Sequence, residues 1–219
     1  MLKSRSGLAF LLVVIAAGMA TPAAYGYNAI LNGPGAFVIS GTWETTATSG
    51  ALAWDIVQDT SGFYFYNYRL VVPDGAAPVD TFLLVLPPTV TAADMFDSSL
   101  PFVVGDFTSA DFPNLPRNVH AMVFTGVDQL RTSFNFKSFK APIWGDFYVN
   151  SEEEVQSTAF NTGFTNPSTD PTDPPSNGFI PYYVLTVGPN AAPIPDASTL
   201  WLALVGVVPL AAARRRKSG

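Results

Sequence analysis

The sequence predicts an all-β fold, a single antiparallel β-sandwich or jelly-roll-like domain, on three observations. Short runs that are apolar or alternate apolar with polar recur between residues 36 and 187, Gly, Pro, Asn and Asp punctuate them, and helical periodicity is nearly absent. Strands of that length, spaced by turn residues, bury one face each by packing two sheets together.

In chain order, strands are expected at Ala36 to Trp43, Ala51 to Asp59, Gly62 to Val72, Thr81 to Leu86, Phe102 to Phe107, Val119 to Thr125, Arg131 to Phe136, Ile143 to Val149 and Tyr182 to Val187. The clearest is Phe63-Tyr64-Phe65-Tyr66-Asn67-Tyr68. A period of two puts Phe63, Phe65 and Asn67 on one face and Tyr64, Tyr66 and Tyr68 on the other. With the turn Asp59 to Gly62 and the run Leu52 to Val57, it forms a hairpin with aromatics paired across it. Helix is expected at Ser151 to Phe160, where Ser151 stands as an N-cap before Glu152, Glu153 and Glu154, with a single turn at Thr91 to Met95. In the block Ala141 to Tyr148, Pro142 keeps Ala141 extended and Gly145 permits a tight backbone approach between the anchors Trp144 and Phe147. Asp146 is then a hydrogen-bonded acid near a strand start.

The two ends of the chain read as targeting. Lys3 and Arg5 precede an uncharged run from Gly7 to Ala20, and Ala24 and Gly26 supply small residues ahead of Tyr27. This is the layout of a signal peptide, residues 1–26, with cleavage before Tyr27. The alternative is an N-terminal anchor helix, for which the apolar run is short. The domain then occupies 27–187 and a linker 188–194. At the other end, Pro195-Asp196-Ala197-Ser198-Thr199-Leu200 leads into an apolar run to Ala213 and a basic stop, Arg214, Arg215, Arg216 and Lys217. From Leu200 the run is about 21 Å long as a helix against a hydrocarbon core of about 30 Å, and Pro209 weakens it. Such a segment suits a transient stop, oriented with its basic end in the cytoplasm.

Charge and composition narrow the functions. Between 27 and 194 five basic residues face sixteen acids, a net charge of −11. That balance disfavours nucleic acid, whose phosphates need Lys and Arg. The chain has no cysteine, so disulfides and thiolate metal sites are excluded and the core alone holds the exported domain. A single histidine, His120, sits in an apolar run and reads as a bonded structural group. No metal or cofactor is expected. Asp170, Asp173 and Asn177 in a Pro-rich stretch offer oxygens for Ca²⁺, but not at the spacing of a calcium loop, and a rigid linker is the preferred reading. Paired carboxylates are the single opening for an enzyme, a glycosidase. Tyr64, Tyr66, Tyr68 and Trp144, with Trp43 and Trp54, are the candidates for glycan stacking, but for the tyrosines a ladder half-covered by the second sheet, with hydroxyls reaching water, is the preferred reading.

Several of these segments together resemble a known group. Ala141 to Tyr148, then Phe160-Asn161-Thr162-Gly163-Phe164 and Asp170 to Gly178, preceded by Tyr64 to Tyr68 and Phe82 to Leu86, resemble exported Gram-negative bacterial proteins that carry a PEP-CTERM sorting tail. Residues 195–217 resemble the tail itself, with Asp196 where the usual motif has Glu and Ala197 where it has a second Pro. The resemblance implies processing by an exosortase-type membrane enzyme, passage through the inner membrane and delivery to the cell surface or the exopolysaccharide matrix. It implies no biochemical activity. The function expected is therefore that of an exported, non-enzymatic surface or matrix protein, with a glycan-binding module as the alternative and a glycosidase third.

Overall fold

The computed structural model describes residues 26–33, 35–45, 50–72, 77–125, 127, 131–152, 156–165 and 180–191. The expected leader up to residue 25, the sorting tail, the Asp170 to Asn177 stretch, and Glu153 and Glu154 lie outside these residues, while Gly26, the last residue of the expected leader, opens the first strand. Among the described residues the chain is all β. Its strands are β1 (Gly26–Asn32), β2 (Phe37–Ser40), β3 (Ala51–Gln58), β4 (Tyr64–Val71), β5 (Thr81–Val85), β6 (Met95–Phe96), β7 (Phe102–Phe107), β8 (Val119–Thr125), β9 (Arg131–Ser138), β10 (Lys140–Gly145), β11 (Phe147–Ser151), β12 (Ser157–Asn161) and β13 (Val184–Ala191).

Every strand pairing is antiparallel. One sheet has the order β1-β3-β4-β9-β6, a second β2-β12-β11-β5-β8-β7, and β10 and β13 form a two-stranded ribbon. The two large sheets face each other in a sandwich-like arrangement across an aromatic interior. Tyr68 and Phe134 of the first sheet meet Phe82 of the second at 6.4 and 4.7 Å between ring centroids, and Phe124 lies 4.4 Å from Phe134.

The expected hairpin forms. β3 pairs β4 with Trp54 opposite Tyr68 and Ile56 opposite Tyr66. Its turn is closed by Asp59, whose carboxylate accepts from the backbone N–H groups of Ser61 and Phe63, and by Gly62 at φ 88°. At Thr91 to Met95 a 3-10 turn spans Ala92–Asp94, and the Asp94 carboxylate accepts from the backbone N–H of Thr91.

Three expectations need correction. The helix at Ser151 to Phe160 is not formed: Ser151 closes β11 and residues 157–161 are β12, which pairs both β11 and β2. The acidic first-turn signal was overridden because Ser157, Thr158 and Phe160 suit a pleated, two-sided ladder whose residues are all buried. The single strand expected at Ile143 to Val149 is two, split at Asp146, where the chain passes from the ribbon to the six-stranded sheet. Finally, β13 runs to Ala191, so a strand takes in the first four residues of the expected linker 188–194.

Candidate functional site

The two motif blocks, Ala141 to Tyr148 and Phe160 to Phe164, come together at the break between β10 and β11. Gly145 is needed there: a Cβ on it falls 2.5 Å from the Thr186 side chain of β13. Asp146 follows and is fully buried. One carboxylate oxygen accepts from the Asn161 side-chain amide at 2.7 Å and the other from the Arg117 guanidinium at 2.8 Å. Asn161 is itself saturated. Its amide also donates to the carbonyl of Tyr182 at 2.7 Å, and its Oδ1 accepts from the backbone N–H of Phe147 at 2.8 Å. The Arg117 guanidinium lies 5.1 Å over the Phe164 ring, adding a cation–π contact.

Electrostatics at this cluster are set by burial. Desolvation pushes the Asp146 carboxyl up, and the bonds from Asn161 and Arg117 pull it part of the way back, leaving it above its ordinary value. Tyr182, whose carbonyl serves Asn161 and also accepts from the Gly163 N–H, holds a positive φ of 76°. A bulky residue in that region is strained. The strain coincides with the carbonyl that fixes both motif residues. Gly163 fits beneath it because a Cβ there would meet the Tyr182 oxygen at 2.7 Å.

The residues put forward for glycan stacking do not form an open platform. Tyr64, Tyr66 and Tyr68 point between the sheets with 5%, 0% and 2% of their surface exposed, and Trp144, Trp43 and Trp54 are equally enclosed at 2% each. The alternation holds and the tyrosine face meets the second sheet, as the ladder reading expects, but it is covered completely and not by half. The Tyr66 and Tyr68 hydroxyls donate to the carbonyls of Lys140 and Leu185 at 2.7 Å each, which is how buried tyrosines keep their polar ends bonded. Desolvation raises both phenols well above their ordinary range. Trp54 and Trp144 pack edge to face at 6.4 Å.

His120 is bonded on both ring nitrogens, to the Asp106 carboxylate and to the Val90 carbonyl, each at 2.8 Å. Among the described residues no group of three or more His, Cys, Asp or Glu is placed to hold a metal ion, and no helix is long and apolar enough to cross a membrane. An apolar cavity of about 30 Å³ lies among Phe37, Trp43, Leu70 and Phe147. It has room for little more than one water molecule.

The outward face of the five-stranded sheet is different. A shallow hollow of about 240 Å³ is lined by Asp55, Asn67, Arg69, Ser133 and Asn135. The strand register lines up Asn28, Asp55, Asn67 and Asn135 as one polar row across four strands. The Asn67 amide donates to the Asp55 backbone carbonyl at 3.1 Å. This row and the Arg117 partner of Asp146 were missed in the sequence. The signal for the row is the polar residue in the middle of each of three alternating strands; Arg117 is marked only by the scarcity of basic residues in the domain. Comparison with protein-family models, with curated proteins and with solved structures finds no match to the chain.

Proposed function

We propose that the chain is an exported, non-enzymatic surface or matrix protein whose sandwich-like, jelly-roll-like domain is delivered through the sorting tail 195–217. The observation that carries this reading is the use to which Asp146 is put. The acid of the most distinctive motif is buried and fully bonded to Arg117 and Asn161, so the motif serves to join the ribbon to the six-stranded sheet. A buried acid with all its bonds made inside the domain is a structural joint and has no reach to a substrate. The sequence of the tail supplies the address: a short apolar run ending in Arg214, Arg215, Arg216 and Lys217 stops in a membrane, and an exosortase-type enzyme then processes the 195–200 motif.

Mass spectrometry of the mature protein from its host tests the delivery. The expected result is a surface or secreted form that starts at Tyr27 and lacks Arg214 to Lys217. A surface form with the basic cluster intact makes the tail a lasting anchor and overturns processing.

Glycan binding is the second reading, and the polar hollow on the outward sheet face favours it. Amide and guanidinium groups flanking a shallow concavity are the donors and acceptors that sugar hydroxyls require. On immobilised exopolysaccharide, retention of the protein that is lost in the double variant N67A/R69A supports this reading. Equal elution with and without the polysaccharide removes it.

A further inference from the structure

We propose that the domain docks on the lipid surface through an aromatic knob formed by Phe63, Phe96 and Phe139. These rings close a triangle with centroid separations of 4.0, 5.2 and 5.7 Å. Phe139 is 47% exposed, the one exposed phenylalanine among the described residues, while Phe63 and Phe96 are half-buried behind it. The three rings form one contiguous apolar patch at the surface, which a contact would cover.

Its place in the fold names the cover. Phe139 is followed by Lys140, which pairs with Ala191 at the far end of β13, and the Lys140 ammonium donates to the Pro189 carbonyl at 3.0 Å. β13 therefore ends beside the knob. Nine residues on, at Leu200, the apolar run begins. Nine residues reach at most about 30 Å. Resting on the reading that this run enters a membrane, the tether holds the knob within reach of the lipid headgroups. Phenylalanines at a membrane interface bury their rings at the boundary between headgroups and acyl chains.

The contact is apolar in kind. Lys137 bonds to Asp97 at 2.7 Å and Lys140 lies 3.6 Å from Asp94, so the nearby lysines are matched by acids and the patch offers no basic field of its own. Docking is accordingly expected to persist in high salt, unlike attraction to anionic lipid.

The absence of cysteine allows a direct test. The full chain carrying F139C is labelled with an environment-sensitive fluorophore and bound to vesicles of phosphatidylethanolamine and phosphatidylglycerol, with N32C at the opposite end of β1 as the distant reference. S61C, on the exposed turn before Phe63, reports on the same patch if F139C does not fold. The expected result is a blue shift and loss of access to an aqueous quencher at position 139, unchanged by salt, with position 32 still accessible. If the chain floats with the vesicles but both labels stay in water, docking is overturned and the membrane reading of the tail stands. Failure to float overturns both. Label-to-label contact between copies without vesicles assigns the knob to a second copy of the chain and overturns the lipid proposal.

Discussion

Replacing Phe82 with alanine is expected to lower the stability of the domain by about 3–5 kcal/mol. Phe82 is fully buried on β5, and its ring meets Tyr68 and Phe134 of the facing sheet as well as Phe124 and Phe147 of its own. Removing it loses the transfer free energy of the ring and leaves a cavity between two rigid ladders that cannot easily close over it. For a domain of this size the loss corresponds to a fall in Tm of roughly 6–20 °C. Thermal unfolding followed by near-ultraviolet circular dichroism measures it, with F82L as the milder comparison. A fall of under about 1 kcal/mol in F82A would show that the two sheets do not depend on this ring, against the packing described.

The second large effect is expected at Asp146. Asp146→Ala removes the anion that Arg117 and Asn161 are built around, at a cost of about 3 kcal/mol. That is the lower end for a broken buried pair, because the Arg117 side chain keeps 31% of its surface in solvent and recovers some hydration. Asp146→Asn keeps the size and is expected to cost less, with a pH dependence of definite sign. The folded-state carboxyl titrates above its ordinary value, chiefly through burial. Its contribution to stability is thus fully present below the unfolded value, near pH 4, and is lost as pH rises through the folded one. Asn cannot titrate. The penalty of D146N, measured by urea unfolding, is therefore expected to be larger at about pH 4 than at neutral pH. A penalty that grows with pH would mean that Arg117 outweighs desolvation and that the carboxyl is held below its ordinary value.

Much of this interior could be read in the chain beforehand. Tyr64 to Tyr68 alternate without interruption, so the strand and its hairpin with Leu52 to Val57 follow from side-chain period and turn chemistry, both local properties. β12 shows where local signals fail. Ser151 followed by three glutamates imitates a helix start, and only the two neighbouring strands that β12 pairs make the extended form preferable. The two-residue β6 is held by its partner strand and is too short to show a pattern, whereas β1, for which no strand was expected, does alternate, with Tyr27, Ala29 and Leu31 turned to the core.

The candidate sites divide in the same way. Trp144, Gly145, Asp146, Asn161 and Gly163 stand out as motif residues in the sequence. That Asp146 and Asn161 bond each other, and take Arg117 from another strand connection, depends on a strand pairing that brings positions 15 and 29 residues away to one point. The tyrosine row was legible as a row, and a ladder under the second sheet is its preferred sequence reading, but a period of two divides a strand into faces without saying how completely the other sheet covers one of them. Hydrophobic area decided it: the face opposite the tyrosines carries Asn67 and Arg69 beside Asp55 and Asn135, and these stay in water.

By itself, then, the sequence determined the all-β class, the hairpin, the acidic and cysteine-free character of the domain and the targeting look of its two ends, since all of these are set by composition and short-range order. The tertiary structure alone decided that the tyrosines and Trp144 are fully core, that Asp146 is a buried joint, and that Phe63, Phe96 and Phe139 meet beside the Lys140–Ala191 pair at the end of β13. Each of those depends on which distant strands pair, and that follows from burying the most apolar area at once across the whole chain.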